Sequence, residues 1–388
     1  MSNILFVGEG TVTDEIRCKL PAAHIAKLGH VVNYLRLDYR GDQPVPDDPF
    51  DAVVFSRPHH DSLMLTYKRM GVPVIVDMDD DFRAIPEFHP GYKFVGLGDP
   101  FYLSKLENCL YLADALITAT DVLKERFNEH NKNITVIPNG WSADNFGWLV
   151  KRTINKDRFV IGWGGTITHR SDFRQCISPI KAILKKYPHV MISIAGDLEI
   201  YKHFVNVPDN QKLFMPMIPY QFYPTLLSTW DILLAPLEDT HFNRGKSDIK
   251  LVDACAKGIP FVASDMPVYS NWSGGGTTVI GEEGWYNAIT QFIEDSSLCE
   301  TIGKQGKVAA KLREMTRLAK QWNKVIEEAI NAKEKGKPYS KRSGAPNRLA
   351  IPIEGASEVG DNKRTSGRHG TGDTKSQTPK KATKKANK

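Results

Sequence analysis

Three short stretches of this sequence concentrate side chains able to hold an anion or move a proton. The first runs from Asn243 to Ser264. A polar run through Lys246, Ser247 and Asp248 enters a helix whose apolar residues Ile249, Val252 and Ala256 recur at helical spacing, and Gly258 and Pro260 stop it before a short apolar strand. A helix entry offers free N–H groups and a positive dipole end, and Lys246 adds a mobile cation, so the stretch suits a diphosphate. A capped surface helix with solvated charges explains the same residues equally well. In the second stretch, Gly164-Gly165 and Arg170 follow an apolar run, where paired glycines let backbone approach an anion and a guanidinium can fork onto phosphate oxygens. A tight turn with an exposed arginine is its plainer reading. The third is Asp77-Met78-Asp79-Asp80-Asp81. Carboxylates crowded at a strand end raise one another's proton affinity and suit a general base or a metal, and a solvated, helix-capping loop is the alternative.

The elements that must position these groups repeat as strand, turn, helix. Strands are predicted at residues 3–7, 31–35, 50–56 and 72–76, then at 159–163, 190–195, 213–217, 232–236 and 261–263, with helices through Ile16 to Leu28, 102–112, 172–186, 220–227, 285–293 and 297–318. This alternation is that of doubly wound α/β units, whose ligands collect beyond the carboxyl ends of the strands. The 388 residues, 41% hydrophobic and 25% charged, suffice for two cores. No run approaches the roughly 18 apolar residues that cross a bilayer. The sequence opens on a strand without a leader pattern, and the five cysteines are scattered without metal-ligand spacing, so a reducing, cytoplasmic location is expected. Charge is uneven: of a net +6, residues 341–388 carry twelve Lys/Arg against four Asp/Glu. That tail, poor in apolar residues, is expected to be disordered. It could bind a polyanion such as DNA, serve only as a solubilising segment, or meet an anionic membrane surface.

Several of these runs resemble GT-B glycosyltransferases of the group 1, family 4-like superfamily. Asp253-Ala254-Cys255-Ala256-Lys257-Gly258 followed by Ile259-Pro260-Phe261-Val262-Ala263-Ser264 keeps the frame of the family's E-A-M-A-x-G and G-x-P-V-V-A-S runs, with Asp for Glu. Eight positions before Asp253 the family commonly has a second Glu, where this chain has Gly245. Lys246, Ser247, Ile249 and Lys250 match a K-S-x-I-K variant, and Ala113-Asp114 together with Ile137-Pro138-Asn139-Gly140 match the runs at the exit of the first domain. The G-G-x-x-x-x-R spacing, with Lys250 ahead of Asp253, is also similar to phage DNA-base glucosyltransferases.

The resemblance implies two Rossmann-like domains facing a cleft: an acceptor-side domain at 1–145, a donor domain at 155–315, a returning helix at 316–335 that Trp322 would pin, and the disordered basic tail at 340–388. It implies that Gly164, Gly165, Arg170, Lys246, Ser247 and Lys250 hold the diphosphate of a nucleoside-diphosphate sugar, expected to be UDP-linked, and that Asp253 holds its ribose. Asp79 or Asp80 would activate the acceptor hydroxyl. No metal and no cofactor are expected. The Asp77-x-Asp79 pair is set aside as a metal site because the other large glycosyltransferase fold, which uses such a pair, places its nucleotide in the first half. The expected acceptor is a hydroxymethylated base of viral DNA reached through the tail; an envelope glycan or lipid, or a non-catalytic nucleotide-sugar or DNA-binding protein, are the alternatives.

Overall fold

The structure is a computed structural model that describes residues 1–37, 49–152, 157–270, 272 and 274–336. The tail expected from residue 340 lies outside the described residues, as does part of the expected crossing between the domains.

Two parallel six-stranded sheets form, because each half repeats short apolar runs separated by helices and a parallel pair needs such a crossover. The first holds β1 (Asn3–Gly8), β2 (Val31–Arg36), β3 (Ala52–Ser56), β4 (Val74–Met78), β5 (Ala115–Thr118) and β6 (Ile134–Val136), in the order β2-β1-β3-β4-β5-β6. The second holds β7 (Phe159–Gly165), β8 (Val190–Gly196), β9 (Lys212–Met215), β10 (Ile232–Ala235), β11 (Phe261–Ser264) and β12 (Gly276–Val279), in the order β12-β11-β10-β7-β8-β9. β3, β4, β5, β10 and β11 are buried along their whole length, while the edge strand β2 alternates between exposed and half-buried residues. Strand order reverses between β1 and β3 in one sheet and between β7 and β10 in the other. In open α/β sheets those reversals are where the loops part and ligands enter.

The helices depart from expectation at two instructive places. The first is interrupted by a π-helical turn, Glu15–Lys19, which turns Arg17 inward, where it is 1% exposed. The single helix predicted at 297–318 is two, Ser296–Ala310 and Met315–Glu334, separated by a 3-10 turn and an extended Glu314 whose carboxylate accepts from the Thr316 N–H. The break lets the chain return to the first half. There Trp322, fully buried, packs with Ile4, Phe6, Ile25 and Val325 in one cluster. Both passages between the halves are tied at one point: the Trp141 and Met315 amides donate to the Arg313 and Trp141 carbonyls at 3.1 and 2.8 Å.

Candidate active site

The loops at the second reversal, after β7 and after β10, enclose a half-buried lysine and a buried carboxylate. Lys250 and Asp253 share one face of the helix Ile249–Lys257, one turn apart, and Gly258 ends that helix in the left-handed region at φ 78°. The Lys250 ammonium donates to the Gly164 carbonyl at the end of β7 (2.7 Å) and lies 5.5 Å from the Trp163 ring centroid. Burial draws its pKa down to about 8, against the pull of Asp172. Asp253, 4% exposed, is pushed up to about 8 by burial, with Lys250 and a hydrogen bond from the Tyr220 hydroxyl (3.4 Å) working the other way. Tyr220 and Tyr223 stack beside them with centroids 6.4 Å apart, and Tyr223 closes the space over Gly164. Gly165 completes β7 with no room for a side chain: a Cβ there would lie 2.6 Å from the Trp163 ring.

The loop after β7 brings His169, rather than Arg170, toward this pair. His169 Nδ1 lies 2.8 Å from Asp172, which in turn accepts from the Glu238 amide and the Asn243 side chain. Burial and then the Lys250 charge lower the imidazole to about 4. It is therefore neutral at pH 7. Arg170 forks onto Asp197 at the end of β8 (2.7 and 3.1 Å), with 41% of its side chain exposed. Its guanidinium is engaged by that carboxylate.

Lys246 and Ser247 lie where the second half meets the first. Lys246 Nζ is 3.5 Å from Asp80 Oδ1 and 4.4 Å from the Phe242 ring centroid, and Ser247 Oγ accepts from the Asn139 side chain at 2.7 Å. The Gly245 carbonyl accepts from Thr120 (3.1 Å), and a Cβ at Gly245 would lie 3.0 Å from the Arg126 guanidinium and 3.1 Å from Leu123. The glycine thus marks close docking on the first half. A carboxylate-bearing side chain at this position would have to displace that contact.

Across the cleft the acidic run is held by arginines. Asp77 belongs to β4 and is fully buried; Arg17 forks onto it and also donates to the Ile137 carbonyl (2.7 Å) and Asn139 (3.0 Å). Arg57 grips both Asp79 and Asp80, with Nη2 contacts of 2.9 and 2.8 Å. Burial works to raise Asp79, but the Arg57 charge and hydrogen bonds prevail and hold it below the usual carboxylate range. A carboxylate so held is a weak base and a firm anchor. Arg57 itself sits at φ 49°, the one non-glycine residue in that region among the described residues, a conformation that survives only where its surroundings fix it. Asp81 caps the next turn and accepts from Arg83 (2.9 Å).

At the first reversal, the ends of β1 and β3 bring Glu9, His59 and His60 together. Their ligand-type atoms all lie within 4.8 Å of one another, with Glu9 Oε1 at 2.7 Å from His59 Nδ1. The two imidazole centroids lie 4.0 Å apart with their planes tilted by 38°, and the Tyr102 ring lies 4.9 Å from that of His59.

The structure therefore gathers Gly164, Gly165, Lys246, Ser247, Lys250, Asp253, Asp79 and Asp80 at the facing strand ends and sets Arg170 aside on Asp197. Sequence reasoning passed over Arg17, Arg57, His169, Tyr220 and the Glu9–His59–His60 group. The adjacent histidines directly after a predicted strand were the one legible signal among these.

No family model matches the chain, and no curated protein matches it in sequence. Solved structures do match in fold. OtsA in its apo form superposes with a TM-score of 0.60 at 9% identity, over 84% of this chain and 99% of that one. Sucrose-phosphate synthase from Thermosynechococcus elongatus gives 0.59 at 12% identity, over 86% and 100%. UDP-GlcNAc 2-epimerase from Neisseria meningitidis, bound to UDP-GlcNAc, gives 0.53 at 14%, over 84% and 100%. The chain has the two-domain GT-B fold of these proteins. Among the described residues, no helix is long and apolar enough to cross a membrane.

Proposed function

We propose that the chain is a glycosyltransferase that moves a sugar from a nucleoside-diphosphate donor to a hydroxyl acceptor, with lysines rather than a metal ion neutralising the diphosphate. The observation that carries this reading is the convergence of Lys246, Lys250 and Asp253 on the second strand-order reversal, where Lys250 is half-buried and donates to a backbone carbonyl instead of a carboxylate. An ammonium in that state gains most from an arriving anion, and a fixed cation stabilises the leaving nucleotide as the glycosidic bond breaks. Lys246 would be shared between Asp80 and the donor. Gly164 and Gly165 would line the diphosphate, Ser247 would stand beside it, and Asp253 would hold the ribose. Asp79, held ionised by Arg57, would orient the acceptor, and Asp80 would contact it as Lys246 turns to the donor. Arg170 would join only by leaving Asp197. A UDP-linked donor is favoured because a protein of the same fold was solved with UDP-GlcNAc bound.

For the acceptor, the basic residues beyond 340 favour a polyanion, and a hydroxymethylated base in DNA combines that charge with a hydroxyl nucleophile. The test is to incubate the full chain with a panel of nucleotide sugars, with and without hydroxymethylated DNA, and to measure free nucleotide. Release is expected with one donor and is stimulated by the acceptor; Lys246→Ala and Lys250→Ala each lower it by about 10²- to 10³-fold. Turnover unchanged in both variants would sink the transferase reading. Binding of a nucleotide sugar without release would favour a non-catalytic binder, and loss of stimulation on removing 341–388 would support the DNA acceptor.

A further inference from the structure

The structure assigns to Glu9, His59 and His60 a binding site for a divalent transition-metal ion of the zinc type. This site is separate from the donor lysines and does not depend on the transferase reading. Two imidazoles and one carboxylate form a borderline donor set that zinc favours, and three such ligands leave a coordination position open. Their ligand atoms already lie within 4.8 Å of one another, and His59 is 4% exposed, so little rearrangement separates the present arrangement from a coordinated one.

Placement and backbone both single the group out. Glu9 follows β1 and the histidines follow β3, and these are the two strands between which the first sheet reverses order, the position where open α/β sheets admit ligands. Consecutive residues of a strand point to opposite faces, so two adjacent histidines converge only if the chain leaves extended geometry. It does so here. Arg57 lies at φ 49° and His60 at φ −103°, ψ 58°, and the imidazoles end up 4.0 Å apart. The group is also wired to the acidic run: the Tyr102 ring beside His59 packs on Phe82 (6.0 Å), and Phe82 lies 5.3 Å under the guanidinium of Arg57, which grips Asp79 and Asp80. An ion held here would sit on the first-half side of the cleft, where it could polarise a hydroxyl or water.

The test uses the full chain without an affinity tag, dialysed against chelator and titrated with Zn²⁺ alone by calorimetry, and with Co²⁺ while visible absorption is recorded. One ion per chain is expected, with cobalt bands of a low-coordinate site. Glu9→Gln and His60→Ala should each weaken Zn²⁺ binding by at least the roughly 10- to 100-fold that outer-sphere losses cost elsewhere. His203→Ala, in the second half, should leave it unchanged. Absence of stoichiometric binding by the wild type overturns the proposal, as does undiminished binding in both variants. Because His60→Ala could perturb folding, circular dichroism accompanies each titration, and the near-isosteric Glu9→Gln decides the outcome alone if the histidine variant does not fold.

Discussion

At the end of β4, beside the first strand-order reversal, three buried carboxylates have arginines: Asp77 has Arg17, Asp79 has Arg57 and Asp81 has Arg83. At the second reversal, Lys250 has a carbonyl and Asp253 a hydroxyl. The topologies match, so the contrast lies in how far each edge has satisfied its own charges. A carboxylate gripped by a guanidinium is fixed in place, which suits a scaffold, although burial still pushes Asp77 up to about 6 against the pull of Arg17. At the second edge the shifts of Lys250 and Asp253 meet only a carbonyl and a hydroxyl, which suits a site completed by a charged ligand.

Breaking the saturated edge should have the largest effect. Arg17→Met leaves Asp77 buried without its partner and should cost about 3–5 kcal/mol in urea denaturation. A loss much below that range would mean that the first edge is no more fixed than the second. The second edge is probed through donor affinity. If the proposed site is correct, nucleotide-sugar binding should weaken by up to about tenfold per pH unit as pH rises through about 8, where Lys250 loses its proton, and Lys250→Ala should abolish that limb. Arg170→Ala, in contrast, should weaken binding by no more than about fivefold, the range of an exposed ion pair. Titration calorimetry across about pH 6.5–9 checks both.

The second edge also sets a pH dependence of stability. Asp253 rises from 3.8 unfolded to about 8 folded, so between these values the folded state holds more protons and stability falls as pH rises, by up to about 1.4 kcal/mol per pH unit. Asp253→Asn should flatten that slope in thermal unfolding between about pH 5 and 8. A variant parallel to wild type would show the carboxyl to be ionised in the fold.

What could be read from sequence followed from locality. β3, β10 and β11 are continuous apolar runs bounded by turn residues, and the helix Ile249–Lys257 carries its own stop at Gly258, so each is specified by neighbours a few positions away. The acidic run was legible as chemistry for the same reason, but its state was not. Arg17 is 60 positions from Asp77, and a π-helical turn, which no periodicity announces, delivers it. Arg170 read as a phosphate ligand because it follows two glycines; that Asp197 would claim it depends on β7 and β8 ending side by side. Gly245 stood out only as a departure from a familial pattern. Its reason, contact with Arg126 and Leu123, lies in the other half of the chain.

Phe242 belongs by sequence to the second half, yet it is 3% exposed within the apolar core of the first, edge-on to His89. Swinging the halves apart as rigid bodies would uncork that ring into water, at about 1.5–3 kcal/mol for the side chain alone. A motion that leaves residues 240–247 on the first half while the remainder of the second pivots would keep that ring covered, and Lys246 would then travel with Asp80 rather than with Lys250.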